Sequence, residues 1–119
     1  VDIFDKPNKE KRGNYIKKLV SNSKAIITHQ VAIPFGSQKM EKIIYWINGV
    51  EPLNEIDLSV FSQYNSKIRS LPIGVERLSY NKDFLLSEDC QLDYITANYK
   101  KEIIEKCFEI IHQYNNKNV

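Results

Sequence analysis

EDCQLDYITANYKKEIIEKCFEIIHQY, residues 88–114, decides how this chain is read. The stretch contains no glycine and no proline. Leu92, Ile95, Tyr99, Ile103, Cys107 or Ile110, and Tyr114 recur at spacings of three and four, so they fall on one stripe of an α-helix. Ser87 precedes it as an N-cap candidate. Glu88, Asp89 and Asp93 follow, where carboxylates suit the positive end of the helix dipole. The spacing predicts one long C-terminal helix over about 88–114.

Upstream, residues 74–87 (GVERLSYNKDFLLS) fit no period. Val75, Leu78, Phe84 and Leu85 can pack, and Asn81-Lys82-Asp83 has the chemistry of a turn or cap. Leu71-Pro72-Ile73-Gly74 breaks the element before it, a helix from Leu58 to about Arg69 behind an Asp57 cap. Val60, Phe61, Tyr64 and Ile68 form its stripe. Another helix follows Ile33-Pro34-Phe35-Gly36-Ser37, read as a turn with Ser37 as N-cap. It carries Met40, Ile43, Ile44 and Ile47, and Asn48-Gly49 ends it. The first helix is read from about 9 to 29, although the β-branched run at 25–33 also suits a strand. Residues 1–8 and 115–119 read as irregular. The expectation is an all-α single domain spanning 1–119, with about four helices and a long C-terminal one.

Bulk composition agrees. The chain has 119 residues, enough for one core and too few for two. It is 42% hydrophobic, with four glycines and four prolines, which favours helices over a turn-rich β architecture. The net charge of +2 permits contact with nucleic acid without arguing for it. Its distribution is uneven. From Lys6 to Lys24, Lys6, Lys9, Lys11, Arg12, Lys17, Lys18 and Lys24 stand against a lone acid, Glu10. Asp83, Glu88, Asp89 and Asp93 form an acidic run without a base. No signal-like or membrane-spanning run is present, and the expected location is the cytoplasm.

Most catalytic patterns are missing. Cys90 and Cys107 make neither a disulfide framework nor a zinc pattern, and no HxxxH, HExxH or CxxC occurs. No metal and no cofactor is expected. A hydrolase-like site around His29 would need a cysteine or carboxylate beside it in space. The paired carboxylates suit solvated helix faces, and no phosphate-binding glycine loop is present. The basic segment reads either as the solvated side of an amphipathic helix or as a nucleic-acid face using Lys9, Lys11, Arg12, Lys17 and Lys18.

The least ordinary stretches are the two Pro-x-Gly turns with their apolar neighbours, VAIPFG and LPIGVERLSY. Packed together, they fix interhelical corners or line a docking surface with His29, Gln30, Trp46, Arg77 and Tyr80. Ile27, Thr28, Gln30, Val31, Pro34, Gly36, Lys39 and Met40, with the run Leu71–Asn81, resemble segments of an uncharacterised group of small bacterial proteins. The resemblance covers most of residues 12–114 and brings no catalytic residues. Many bacterial domains of this size and Lys/Asn-rich composition are toxin-neutralising immunity proteins. Immunity proteins that block basic nucleases are usually acidic, so the mild positive charge here leaves that role to the 83–93 run.

The sequence therefore predicts a non-catalytic protein-binding module, of immunity type, that acts by steric occlusion of a toxin. Its expected contact residues are Asp83, Glu88, Asp89, Asp93, Trp46, Arg77 and Tyr80. The alternatives are a helical nucleic-acid-binding or regulatory domain and a small hydrolase-like enzyme around His29.

Overall fold

The computed structural model describes residues 5–115, with side chains from Pro7 onward. Four α-helices follow one another: α1 Asp5–Ile27, α2 Ile33–Asn48, α3 Ser59–Ile68 and α4 Lys82–Tyr114. A 3₁₀ segment, Val75–Ser79, lies between α3 and α4. No strand occurs among the described residues. The all-α expectation holds, with the longest helix last.

The helices close a ring. α1 packs on α2 and α4, and α3 packs on the same two, while α2 and α4 scarcely touch. Each helix turns an i, i+3/i+4 stripe inward. Leu19 and Ile26 come from α1, Met40, Ile43 and Ile47 from α2, Phe61, Tyr64 and Ile68 from α3, and Ile103, Cys107 and Ile110 from α4. Each such side chain contributes about 1.5–3 kcal/mol by leaving water. Two buried asparagines set the register across α2. Asn22 Nδ2 donates to Gly36 O at 2.9 Å, and Asn65 Nδ2 donates to Ser37 O at 2.9 Å. Ser37 Oγ and Asn65 Oδ1 are buried without a hydrogen-bond partner, a local cost of this arrangement.

The helix boundaries settle the choice left open at 25–33 and move the starts of α2 and α4. Residues 25–33 form no strand: α1 runs through Ile27 and ends on His29, whose φ is 62°. Gln30 N–H donates to Ala25 O at 2.9 Å and His29 N–H donates to Ile26 O at 3.2 Å, the paired bonds of a Schellman stop. His29 thus occupies a left-handed position that glycine usually fills. α2 begins at Ile33, not after Ser37. Pro34 stands in its first turn, where the missing N–H costs nothing, and Gly36 lies inside the helix. There Gly36 meets α1 so closely that an added Cβ would lie 2.6 Å from Ile26 Cγ1. α4 begins at Lys82, because the Asn81 side chain accepts from Phe84 N–H at 2.8 Å and Asp83 sits in the first turn. Ser87 is therefore interior.

The irregular lead-in read over 1–8 gives way to helix from Asp5; residues 1–4 and 116–119 lie outside the described residues. A helix of 33 residues is about 50 Å long. It accounts for most of the 60 Å long axis of a molecule only 26 × 22 Å across. Its buried side chains begin at Ile103; Leu92, Ile95 and Tyr99 are half-buried against the core. The turns before Leu92 extend past the bundle.

Candidate functional site

The extended end of α4 and the 3₁₀ segment before it carry the most unusual surface. Val75 is 85% exposed and Leu78 90%, while Tyr80, Phe84, Leu86 and Tyr94 are exposed as well. These are six of the ten exposed large hydrophobic residues among those described, gathered in 20 positions, 75 to 94. Scattered exposed leucines need no explanation, but this many around one helix end mark an interaction region. The Tyr80 and Phe84 rings stack at 4.7 Å between centroids, so part of the cluster is pre-ordered.

The segment is held out by polar anchors, not by burial. Arg77 makes a two-pronged pair with Asp89: Nη1 to Oδ1 at 2.7 Å and Nη2 to Oδ2 at 3.0 Å. Nη1 also donates to Pro72 O at 2.9 Å. The paired guanidinium lowers the Asp89 carboxyl below its usual range, and that carboxylate in turn raises Arg77. Glu76 Oε1 accepts from Ile73 N–H and Gly74 N–H, and its carboxyl is lowered first by its own backbone N–H and then by these bonds. None of the five residues of the segment is buried. Its conformation rests on these bonds, which leave Val75 and Leu78 in solvent.

The expected acidic run does not form one face. At 3.6 residues per turn, Asp83 and Glu88 point about 140° apart, as do Glu88 and Asp93. Asp83 and Asp93 are exposed, Glu88 is half-buried, and Asp89 is engaged by Arg77. The two Pro-x-Gly stretches do meet. A cleft of about 520 Å³ is lined by Pro34 and Phe35 from one, Ile73 and Arg77 from the other, and Asp89, Leu92, Asp93 and Thr96 from α4. Of His29, Gln30, Trp46, Arg77 and Tyr80, the residues expected to line a docking surface there, this cleft has Arg77 alone; Asp89 and Asp93 join it from the acidic run. Trp46 lines a different groove, between α1 and α2, and stacks on Tyr15 at 5.5 Å.

Among the basic residues of α1, Lys9, Lys11, Lys17 and Lys18 are exposed. Arg12 is structural. Its Nε donates to Glu51 O at 2.9 Å and its Nη2 to Pro52 O at 3.4 Å, tying α1 to the loop after α2. Lys18 opens into the α1–α2 groove. Sequence reading overlooked Lys39 and Lys42, which line the same groove. Their signal was present in the i, i+4, i+7, i+11 series Phe35, Lys39, Lys42, Trp46 on α2. Leu86 and Tyr94 were overlooked too, because apolar residues in a long helix read as core.

His29 is exposed at the end of α1 and lines none of the clefts described here. Cys107 is fully buried, and burial pushes its thiol up to about 11, away from nucleophilic use. Cys90 is exposed on α4. Among the described residues no group of three or more His, Cys, Asp and Glu side chains could hold a metal ion. No described helix is long and apolar enough to cross a membrane. Compared with protein families, curated proteins and solved structures, the chain matches none of them.

Proposed function

We propose that this protein is a non-catalytic protein-binding module whose contact surface is the 3₁₀ segment and the projecting end of α4. The observation that carries this reading is the concentration of exposed Val75, Leu78, Tyr80, Phe84, Leu86 and Tyr94 around the projecting end of α4, where Phe84 and Leu86 point about 160° apart and leave the helix end apolar on more than one side. Arg77 is a positioning residue, since its pair with Asp89 and its bond to Pro72 O hold the segment in place. A few anchors, most often aromatic as Tyr80 and Tyr94 are, supply most of the binding energy at an interface, with aliphatic neighbours excluding water around them. Asp83 and Asp93, exposed on the same end of α4, select a partner with an apolar groove and a basic rim. Occlusion of a toxin's working surface is the form of this function that the small size and Lys/Asn-rich composition suggest, since many bacterial domains of that kind are immunity proteins.

The test is affinity capture from lysate of the source cells after nuclease treatment. The wild-type protein is compared with Leu78→Asp/Leu86→Lys, whose exposed positions leave the fold intact. One stoichiometric partner held by the wild type and lost by the variant is expected. Equal capture by both proteins would refute the assignment of this surface. So would a concentration-dependent dimer in sedimentation that the variant abolishes, because the surface would then serve self-association.

A further inference from the structure

The groove between α1 and α2 has a chemistry unlike that of the α4 end. On α2, Phe35, Lys39, Lys42 and Trp46 share one face at spacings of four, three and four. α1 faces them with Lys18 across a cleft of about 680 Å³. No carboxylate lines it. Glu41, the acid between the two α2 lysines, is turned toward α3, where its Oε1 accepts from Asn65 Nδ2 at 3.2 Å. The ion pairs among the described residues are Arg77–Asp89 and Lys106–Glu109, so Lys18, Lys39 and Lys42 have no such partner there. Positive charge is thus gathered in a concave site with nothing local to neutralise it.

Aromatic rings stand at both ends of the groove. Phe35 is 49% exposed and Trp46 40% exposed. They are separated by eleven helical positions, about 16 Å along the axis. Trp46 is backed by Tyr15, at 5.5 Å between the centroids of the tilted rings, and keeps part of its surface in solvent. Lysines along a groove with aromatic platforms at its ends match what single strands present. Phosphates are neutralised by the cations, and unstacked bases lie on the rings. A duplex hides its base faces, and an acidic peptide offers charge without planar rings. We propose that the α1–α2 groove binds a short run of single-stranded nucleic acid, with phosphates at Lys18, Lys39 and Lys42 and bases against Trp46 and Phe35. Its lysines and Trp46 lie apart from the protein-docking surface, Phe35 bordering both this groove and the Arg77–Asp89 cleft, and binding here does not depend on that surface.

Trp46 is the single tryptophan of the chain, so emission excited selectively in the indole band, beyond the absorption of the seven tyrosines, reports this groove alone. A ten-nucleotide oligothymidylate is titrated at low salt, then along a salt series. Binding with quenching of Trp46 is expected. Three neutralised phosphates predict a slope of roughly −2 in log K against log salt, or roughly a 20-fold weakening between 50 and 200 mM. Lys39→Glu/Lys42→Glu changes two exposed residues, keeps the helical circular dichroism, and should weaken binding at least about tenfold with a flatter salt slope. Leu78→Asp/Leu86→Lys should bind the oligonucleotide like the wild type, which separates this site from the docking surface. Three results would overturn the proposal: binding without a change in Trp46 emission, equal binding by the lysine variant, or equally tight binding of an oligoglutamate of the same length.

Discussion

Replacing Gly36 with alanine sets two well-understood effects against each other. Helix propensity favours the change, because alanine in a helix interior is worth up to about 1 kcal/mol over glycine. Packing opposes it. The new methyl would stand 2.6 Å from Ile26 Cγ1, 2.9 Å from its Cδ1 and 3.1 Å from Val31 Cγ1. Ile26 is 1% exposed, so its side chain has no empty space to retreat into. Either that isoleucine leaves its rotamer or α2 lifts away from α1, and overpacking of this kind costs about 1–3 kcal/mol. Lifting α2 would also stretch the bond from Asn22 Nδ2 to Gly36 O. The net expectation is a loss of about 1–2 kcal/mol, with the melting temperature falling about 4 °C for each kcal/mol. Urea unfolding of the wild type, Gly36→Ala, Ile26→Val and the double variant measures it, with the shift in midpoint read at constant m. Ile26→Val removes Cδ1, so it should cost less in the alanine background than alone. A Gly36→Ala protein that is more stable than the wild type would refute the close approach of α1 and α2 described above.

Two other expectations concern polar features. His29→Gly should stabilise the fold by about 1 kcal/mol, because glycine enters the left-handed region without the Cβ clash that histidine carries; His29→Val should destabilise it. Thermal melts check both, and the glycine variant also removes the imidazole that a hydrolase-like role would require. The Arg77–Asp89 pair predicts a pH dependence. Asp89 is lowered from an ordinary value of 3.8, so its contribution is complete above that pH and disappears as pH falls through the folded value. The stability gap between wild type and Asp89→Asn should therefore be constant from pH 5 to 7 and shrink below about pH 3.8 in acid titrations followed by circular dichroism; a gap that persists at lower pH would refute the pairing.

Much of the fold was legible because apolar spacing survives even where exact ends do not. The stripes Met40–Ile43–Ile47 and Val60–Phe61–Tyr64–Ile68 were read in place and are buried. The ends moved because several residues can each start or stop a helix, and spatial context chooses among them. Asn81 prevailed over Ser87, and Pro34 belongs inside α2 because it needs no N–H in the first turn. His29 stops α1 in a conformation that propensity assigns to glycine, so no local pattern announced it. The candidate site was less legible. A run of acids in sequence scatters around a helix, and exposure of Leu78 or Leu86 depends on whether another element covers them. The aromatic–lysine series on α2 needed only the correct start of the helix, which the proline had obscured.

The ring of helices also orders the events of folding. α1 has two main neighbours: α2, which follows it in the chain, and α4, which comes last. The α1–α2 hairpin can form early, at the small entropic cost of a short loop. Its inner faces, with Leu19 and Ile43, nevertheless stay incomplete until Ile103, Cys107 and Ile110 arrive. A nascent chain therefore carries an apolar half-core until α4 has emerged from the ribosome, and the emergence of α4, not translation of α3, is the step at which this domain becomes resistant to proteolysis and to chaperone capture.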